Sequence, residues 1–143
     1  MIIILKQHAN PAKVEELKQE LNAAGIAYGE VEQGIVVETP AAAVISDLLA
    51  KEVDFFSIGT NDLTQYIMAA DRGNPRISHL YRPDSEAVTK AIRTVIEAGR
   101  KAGIEVSMCG EYAADLSATD LLISLGLRKF SVSAPAIKRL KTR

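Results

Sequence analysis

Apolar residues along this chain fall into short runs that alternate with stretches of helical spacing. Ile2 to Leu5 is a continuous apolar run of strand length. Asn10-Pro11 then reads as a helix start, with Asn as N-cap and Pro at the first helical position. Val14, Leu17, Leu21 and Ala24 share one face of that helix, and Gly25 ends it. Ile26 to Val31 reads as a short strand that Gly29 weakens. Ile35 to Val37 is the next strand, and Pro40 opens a helix through Ala43, Val44, Leu48 and Leu49. Val53 to Ile58 is strand. Thr60 or Asn61 is expected to cap the following helix through Leu63, Tyr66, Ile67 and Met68, with Tyr66 and Met68 in the core. Asp71 to Pro83, rich in Gly, Asn and Pro, reads as a loop. Val88, Ala91, Ile92, Val95 and Ile96 mark one face of a helix from Ser85 to Gly103. Ile104 to Met108 is strand, Ser117 to Leu125 helix stopping at Gly126, Phe130 to Val132 strand, and Pro135 starts a short terminal helix. The alternation predicts an α/β fold, a mostly parallel sheet with helical crossovers, and leaves strand order open.

The bulk numbers set limits. A chain of 143 residues can build one domain with a proper core. It is 48% hydrophobic and 24% charged, as soluble globular proteins are. A net charge of −1 with both signs dispersed argues against a nucleic-acid surface, which needs a basic stripe. One cysteine excludes an internal disulfide and fits a reducing, cytoplasmic setting. Met1 to Lys6 lacks a basic leader and is too short to span a membrane.

Chemistry gathers where the apolar runs stop. Glu38 follows Ile35-Val36-Val37. Asn61 and Asp62 follow Phe55-Phe56-Ser57-Ile58-Gly59-Thr60. Cys109, Gly110 and Glu111 follow Ile104 to Met108. Ligands of α/β proteins bind beyond the carboxyl ends of parallel strands. Glu38, Asn61 and Asp62 are hard oxygen donors, and Cys109 and Glu111 pair a nucleophile or acid with a carboxylate. The set points to a divalent cation, a phosphorylated small molecule and a proton-transfer group. Mg²⁺ suits one or two carboxylates plus substrate phosphate. A thiol of ordinary pKa, about 8.5, is protonated at neutral pH and available as an acid.

Four motifs in order, Gly34-Ile35-Val36-Val37-Glu38-Thr39-Pro40-Ala41-Ala42, Phe55 to Tyr66, Asp71-Arg72-Gly73-Asn74 and Met108-Cys109-Gly110-Glu111, resemble the phosphoenolpyruvate-utilising enzymes, nearest their phosphoenolpyruvate–protein phosphotransferase branch. The resemblance runs from about Gly34 to Lys138. It implies a (βα)8 barrel that binds phosphoenolpyruvate and Mg²⁺, of which this stretch is the last four strand–helix units. Residues matching Glu38 and Asp62 are then metal ligands, Asn61 and Arg72 hold phosphate, and Cys109 protonates the enolate carbon to give pyruvate. Gly110 and Glu111 shape the substrate site. A whole barrel takes roughly 250 residues, so further arginines and a phospho-histidine domain are expected elsewhere; His8 and His79 stand in no matching motif. Residues 1–33 resemble, more loosely, the ferredoxin-like start of some DAHP synthases, and read as a βαβ segment of different origin within a single 1–143 domain. Arg82 to Glu86, Tyr112 and Arg128-Lys129 depart from the family pattern, with Tyr112 near the site.

Blander readings stand beside these. Glu38, Asn61 and Asp62 are all favourable at helix starts. Cys109 alone is a small buried residue, and Arg72 a solvated loop charge. Three functions stay open: a remnant phosphoenolpyruvate and Mg²⁺ half-site that catalyses little, a recombined or engineered chimeric folding unit without catalysis, and an interaction or regulatory subunit of a phosphotransferase. Open sheet edges favour a homo-oligomer.

Overall fold

The computed structural model describes residues 34–141 together with Ala12, Glu16, Gln19 and Ala23. Those four are helical and fall within the helix expected after Asn10. The expected strands at Ile2–Leu5 and Ile26–Val31, and the face formed by Val14, Leu17, Leu21 and Ala24, lie outside the described residues. The chain divides into two compact units, Met1–Glu30 and Val31–Arg143. The second is described from here on.

Four strand–helix units follow one another. Strand β1 (Gly34–Val37) leads into Thr39, whose hydroxyl accepts from the Ala42 N–H at 3.2 Å and caps α1 (Pro40–Val44). Helix α2 (Ser46–Leu49) follows after Ile45 leaves helical geometry at φ −100°, ψ 18°. The expected single helix from Pro40 to Leu49 is therefore two. The break turns small residues inward: Ala43, Ser46 and Ala50 are buried while Val44 and Leu48 are exposed. Strand β2 (Phe55–Gly59) runs directly into α3 (Thr60–Met68). A long loop with one 3₁₀ turn, Ser78–Leu80, leads to α4 (Glu86–Ala102). Ser85 caps α4 by accepting from the Val88 N–H at 3.3 Å, and Gly103 ends it at φ +74°. Strand β3 (Glu105–Cys109), a 3₁₀ turn (Tyr112–Ala114), α5 (Thr119–Ser124), β4 (Lys129–Phe130) and α6 (Ala134–Lys141) complete the unit.

All pairings in the sheet are parallel and the order is β1-β2-β3-β4. This is the arrangement expected of half a (βα)8 barrel. Alternation along the strands sends Ile35, Val37, Phe56, Ile58, Val106, Met108 and Phe130 to one face. There they pack with Val88, Ile92, Val95, Leu122 and Leu127 into the core. Helix α4 lies so close to β3 that a Cβ on Gly99 would sit 2.3 Å from Val106 Cγ2. The other face carries Val36, Phe55, Ser57, Glu105 and Ser107 and is the more exposed; Val36 keeps 50% of its surface. Lys129 pairs with Glu105 across it.

Two expectations fail at α3. The cap position belongs to Gly59 and makes no side-chain bond, so neither Thr60 nor Asn61 caps this helix. Thr60, Leu63 and Thr64 define its buried face, which leaves Tyr66 pointing away and 55% exposed rather than in the core. Met68 is partly buried.

Candidate functional site

Register alone assembles the first part of the site. Val37 pairs with Ile58, which sets Glu38 level with Gly59, and Gly59 pairs with Cys109. Glu38, Gly59 and Cys109 thus form the last row at the carboxyl end of the sheet, on the face opposite the core. The Glu38 side chain lies across Gly59. A Cβ there would come within 2.5 Å of Glu38 Cγ and 2.6 Å of Oε1, so the glycine makes room for the carboxylate. Ser57, one pleat below, donates its hydroxyl to Cys109 Sγ at 3.7 Å. Cys109 is a partly buried free thiol.

The turns after β2 and β3 are locked together. The Thr60 hydroxyl donates to the Cys109 carbonyl at 2.8 Å. The Asn61 Oδ1 accepts from the Glu111 backbone N–H at 2.9 Å. A backbone N–H can only donate, so the atom facing it is the amide oxygen, and the Asn61 NH₂ keeps both protons for another acceptor. Asn61 also lines a cavity of ≈ 430 Å³ together with Gly110, Glu111, Ala114 and Ser131 to Ser133. Gly110 stands at φ +96°, where a Cβ would meet Thr60 Oγ1 at 2.4 Å and Asn61 Oδ1 at 2.9 Å. Both conformation and space require glycine there. Asn61 and Asp62 occupy the first turn of α3, where backbone N–H groups and the helix dipole favour anions.

Arg72 arrives from the loop between α3 and α4 and is exposed. Its backbone N–H donates to Gln65 Oε1 at 3.2 Å. Further along the same loop, the Tyr81 hydroxyl donates to the Asn61 carbonyl at 3.3 Å. Burial pushes the Tyr81 phenol above its ordinary pKa. The nearby Thr64 hydroxyl, which makes no well-aligned hydrogen bond, and the Arg72 charge oppose that, while Glu111 and Asp62 add to it. Tyr81 therefore sits among Asp62, Thr64, Arg72 and Glu111. The sequence reading did not single it out. The available signal was the one aromatic residue of the 71–83 loop, just before Arg82-Pro83.

The structure thus brings Glu38, Asn61, Asp62, Cys109, Gly110 and Glu111 to one end of the sheet and ties the Arg72 backbone to α3 through Gln65. Neither Glu38 nor Asp62 makes a hydrogen bond or ion pair with another described residue. Among the described residues no group of three or more His, Cys, Asp or Glu side chains forms a metal cluster. Glu38 and Asp62 are carboxylates of the kind Mg²⁺ accepts, since that ion takes only one or two protein carboxylates and fills the rest of its shell with water and phosphate oxygens. Tyr112 is buried, 6% exposed, with its phenol pushed up by burial and then by Asp84 and Asp115. Arg82 and Asp84 pair with each other on the surface, and Arg128 donates to the carbonyls of Ile123 and Leu127. Among the described residues no helix is long and apolar enough to cross a membrane.

Comparison with known proteins gives a consistent picture. The family model for the PEP-utilising enzyme, PEP-binding domain, matches residues 1–143. The chain is 52% identical over 130 residues to the phosphoenolpyruvate-protein phosphotransferase of Buchnera aphidicola subsp. Baizongia pistaciae, covering 90% of this chain and 23% of that protein. It is 48% identical over 145 residues to the one from Enterococcus faecalis, covering all of this chain and 25% of that protein. It is 53% identical over 129 residues to the one from Bacillus subtilis, covering 90% and 23%. The chain spans about a quarter of the length of these curated relatives. Among solved structures, an HpcH/Hpal aldolase/citrate lyase family protein from Burkholderia cenocepacia J2315 superposes with a TM-score of 0.57 at 21% identity, over 99% of this chain and 49% of that one. That likeness speaks for the fold alone.

Proposed function

The chain belongs to the PEP-utilising enzymes as part of their PEP-binding domain, and from that premise we propose that it holds phosphoenolpyruvate with Mg²⁺ at the carboxyl ends of β1 to β3, as one portion of a phosphoenolpyruvate–protein phosphotransferase. The observation that carries this reading is the row Glu38, Gly59, Cys109, with Asn61 held beside it by the Glu111 N–H. Glu38 and Asp62 would hold Mg²⁺, which when bound neutralises phosphoryl charge. The Asn61 NH₂ and the Arg72 guanidinium donate to phosphate oxygens. Gly110 lets the β3 turn approach Asn61, and Glu111 fixes the amide through its backbone.

When the phosphoryl group leaves for an acceptor, the enolate of pyruvate remains. The Cys109 S–H bond breaks, its proton goes to the enolate carbon, and the thiolate regains a proton from solvent. The Ser57 hydroxyl, aimed at Sγ, stabilises that thiolate. Among the described residues Arg72 is the guanidinium whose charge acts on Tyr81, the residue bonded to the Asn61 carbonyl. Phosphoryl transfer relies on several such charges, and each 1.36 kcal/mol of lost stabilisation is about tenfold in rate. This stretch by itself is therefore a binding half-site with little turnover. The exposed face around Val36 supports self-association, and a lone free thiol suits a cytoplasmic setting.

The test is titration of isotope-labelled protein with phosphoenolpyruvate and Mg²⁺, following backbone amides. Saturable shifts at Glu38, Asn61, Asp62, Arg72 and Cys109 are expected. Well-dispersed peaks that stay put up to millimolar ligand would sink the proposal. Glu38→Gln should weaken the Mg²⁺-dependent part of binding at least tenfold.

A further inference from the structure

We propose that Tyr81 is a positioning residue of this site, acting with Gln65 as a two-point clasp that seats the Arg72 loop on α3. The inference rests on the reading of this end of the sheet as a phosphoenolpyruvate site. An arginine on a long loop spends its time in solvent unless the backbone beneath it is held, because ordering each residue costs about 1–2 kcal/mol. Two tethers hold this one. The Arg72 N–H meets the Gln65 side chain at 3.2 Å, and the Tyr81 hydroxyl meets the Asn61 carbonyl at 3.3 Å.

Asn61 and Gln65 are four residues apart in α3, so both anchors lie on one face of the same helix. Between them the loop is braced by its own bonds. Gly73 N–H donates to Asp71 Oδ1 at 2.8 Å, Arg76 N–H to Asn74 Oδ1 at 3.0 Å, and Tyr81 N–H to the Ser78 carbonyl at 3.1 Å. A braced loop fixed at both ends moves as a unit, so loosening either end displaces Arg72. The Tyr81 tether also ends on the backbone of Asn61, whose side-chain amide is the other proposed phosphate donor. One hydroxyl therefore connects both donors to a common frame.

Tyr81→Phe removes that hydroxyl and keeps the ring, so a role in packing alone predicts no effect. Gln65→Leu removes the other anchor at similar volume. Two measurements decide. In ligand-free protein, hydrogen exchange at Gly73 and Glu111 should quicken roughly fivefold or more in each variant, with Ile92 and Val95 in α4 unchanged, as the loss of one net hydrogen bond implies. Binding of phosphoenolpyruvate with Mg²⁺ should weaken about fivefold in each. Unchanged exchange and unchanged binding overturn the proposal. Faster exchange with unchanged binding overturns it as well, since the loop would then be tethered without positioning anything. If the wild-type protein itself takes no phosphoenolpyruvate, the underlying reading falls and the positioning role with it. That failure is distinguishable, because the clasp is read by exchange without ligand.

Discussion

Asn61 is oriented by the residues around it, and this makes its chemistry testable apart from its fold. Asn61→Asp keeps an oxygen for the Glu111 N–H but replaces the outward NH₂ with negative charge. Stability should change by less than about 1 kcal/mol while phosphoenolpyruvate affinity falls at least a hundredfold, read by calorimetry beside thermal unfolding. Gly110→Ala does the opposite kind of damage. It puts a Cβ against Thr60 and Asn61 at positive φ and should cost roughly 1–3 kcal/mol in urea unfolding. Tyr112 gives a pH signature. Burial raises its folded pKa above the ordinary value near 10. The stability it contributes is complete below the unfolded value and is lost as pH rises through the folded one. Urea midpoints should therefore drop above about pH 10, less steeply in Tyr112→Phe. That Glu38, Asn61, Asp62, Cys109 and Glu111 gather at one end of the sheet was legible, because a polar residue right after an apolar strand run has few places to go. Tyr81 was not, because its partner Asn61 is met only once the loop has folded back over α3.

Among the elements, α4 was the most legible. Its apolar face repeats over four turns, and both ends carry their signals, Ser85 and Gly103. Removing the first signal, Ser85→Ala, should cost about 1 kcal/mol in denaturant unfolding without changing the slope. Helices α1 and α2 were less legible, since Ala43, Val44, Leu48 and Leu49 suggested one helix, whereas the break at Ile45 turns Ala43, Ser46 and Ala50 inward and leaves Val44 and Leu48 exposed. Small residues win there because α4 packs close against both helices. Thr60 shows a different limit. A threonine after a strand reads as a cap, but its hydroxyl is used to join the β2 and β3 turns instead. Strand β4 is shorter than the apolar run implied, pairing only at Lys129 and Phe130.

At the scale of the whole second unit, parallel strands and helical crossovers followed from the alternation of patterns, whereas strand order did not. The periodicity says which residues face the core and nothing about which strands are neighbours. The exposed face carries its own expectation. Sedimentation velocity at rising concentration should show a dimer, and Val36→Lys should return it to monomer. The order β1-β2-β3-β4 reaches further still. During synthesis β2, β3 and β4 each leave the ribosome after the strand they will join. Translation at about 5–20 residues per second leaves each strand–helix unit a second or more, against about a microsecond for a helix to form. No strand has to wait for a later one to be inserted beside it. A ribosome stalled within this stretch thus holds whole strand–helix units behind it, with the newest strand as the edge a chaperone would meet.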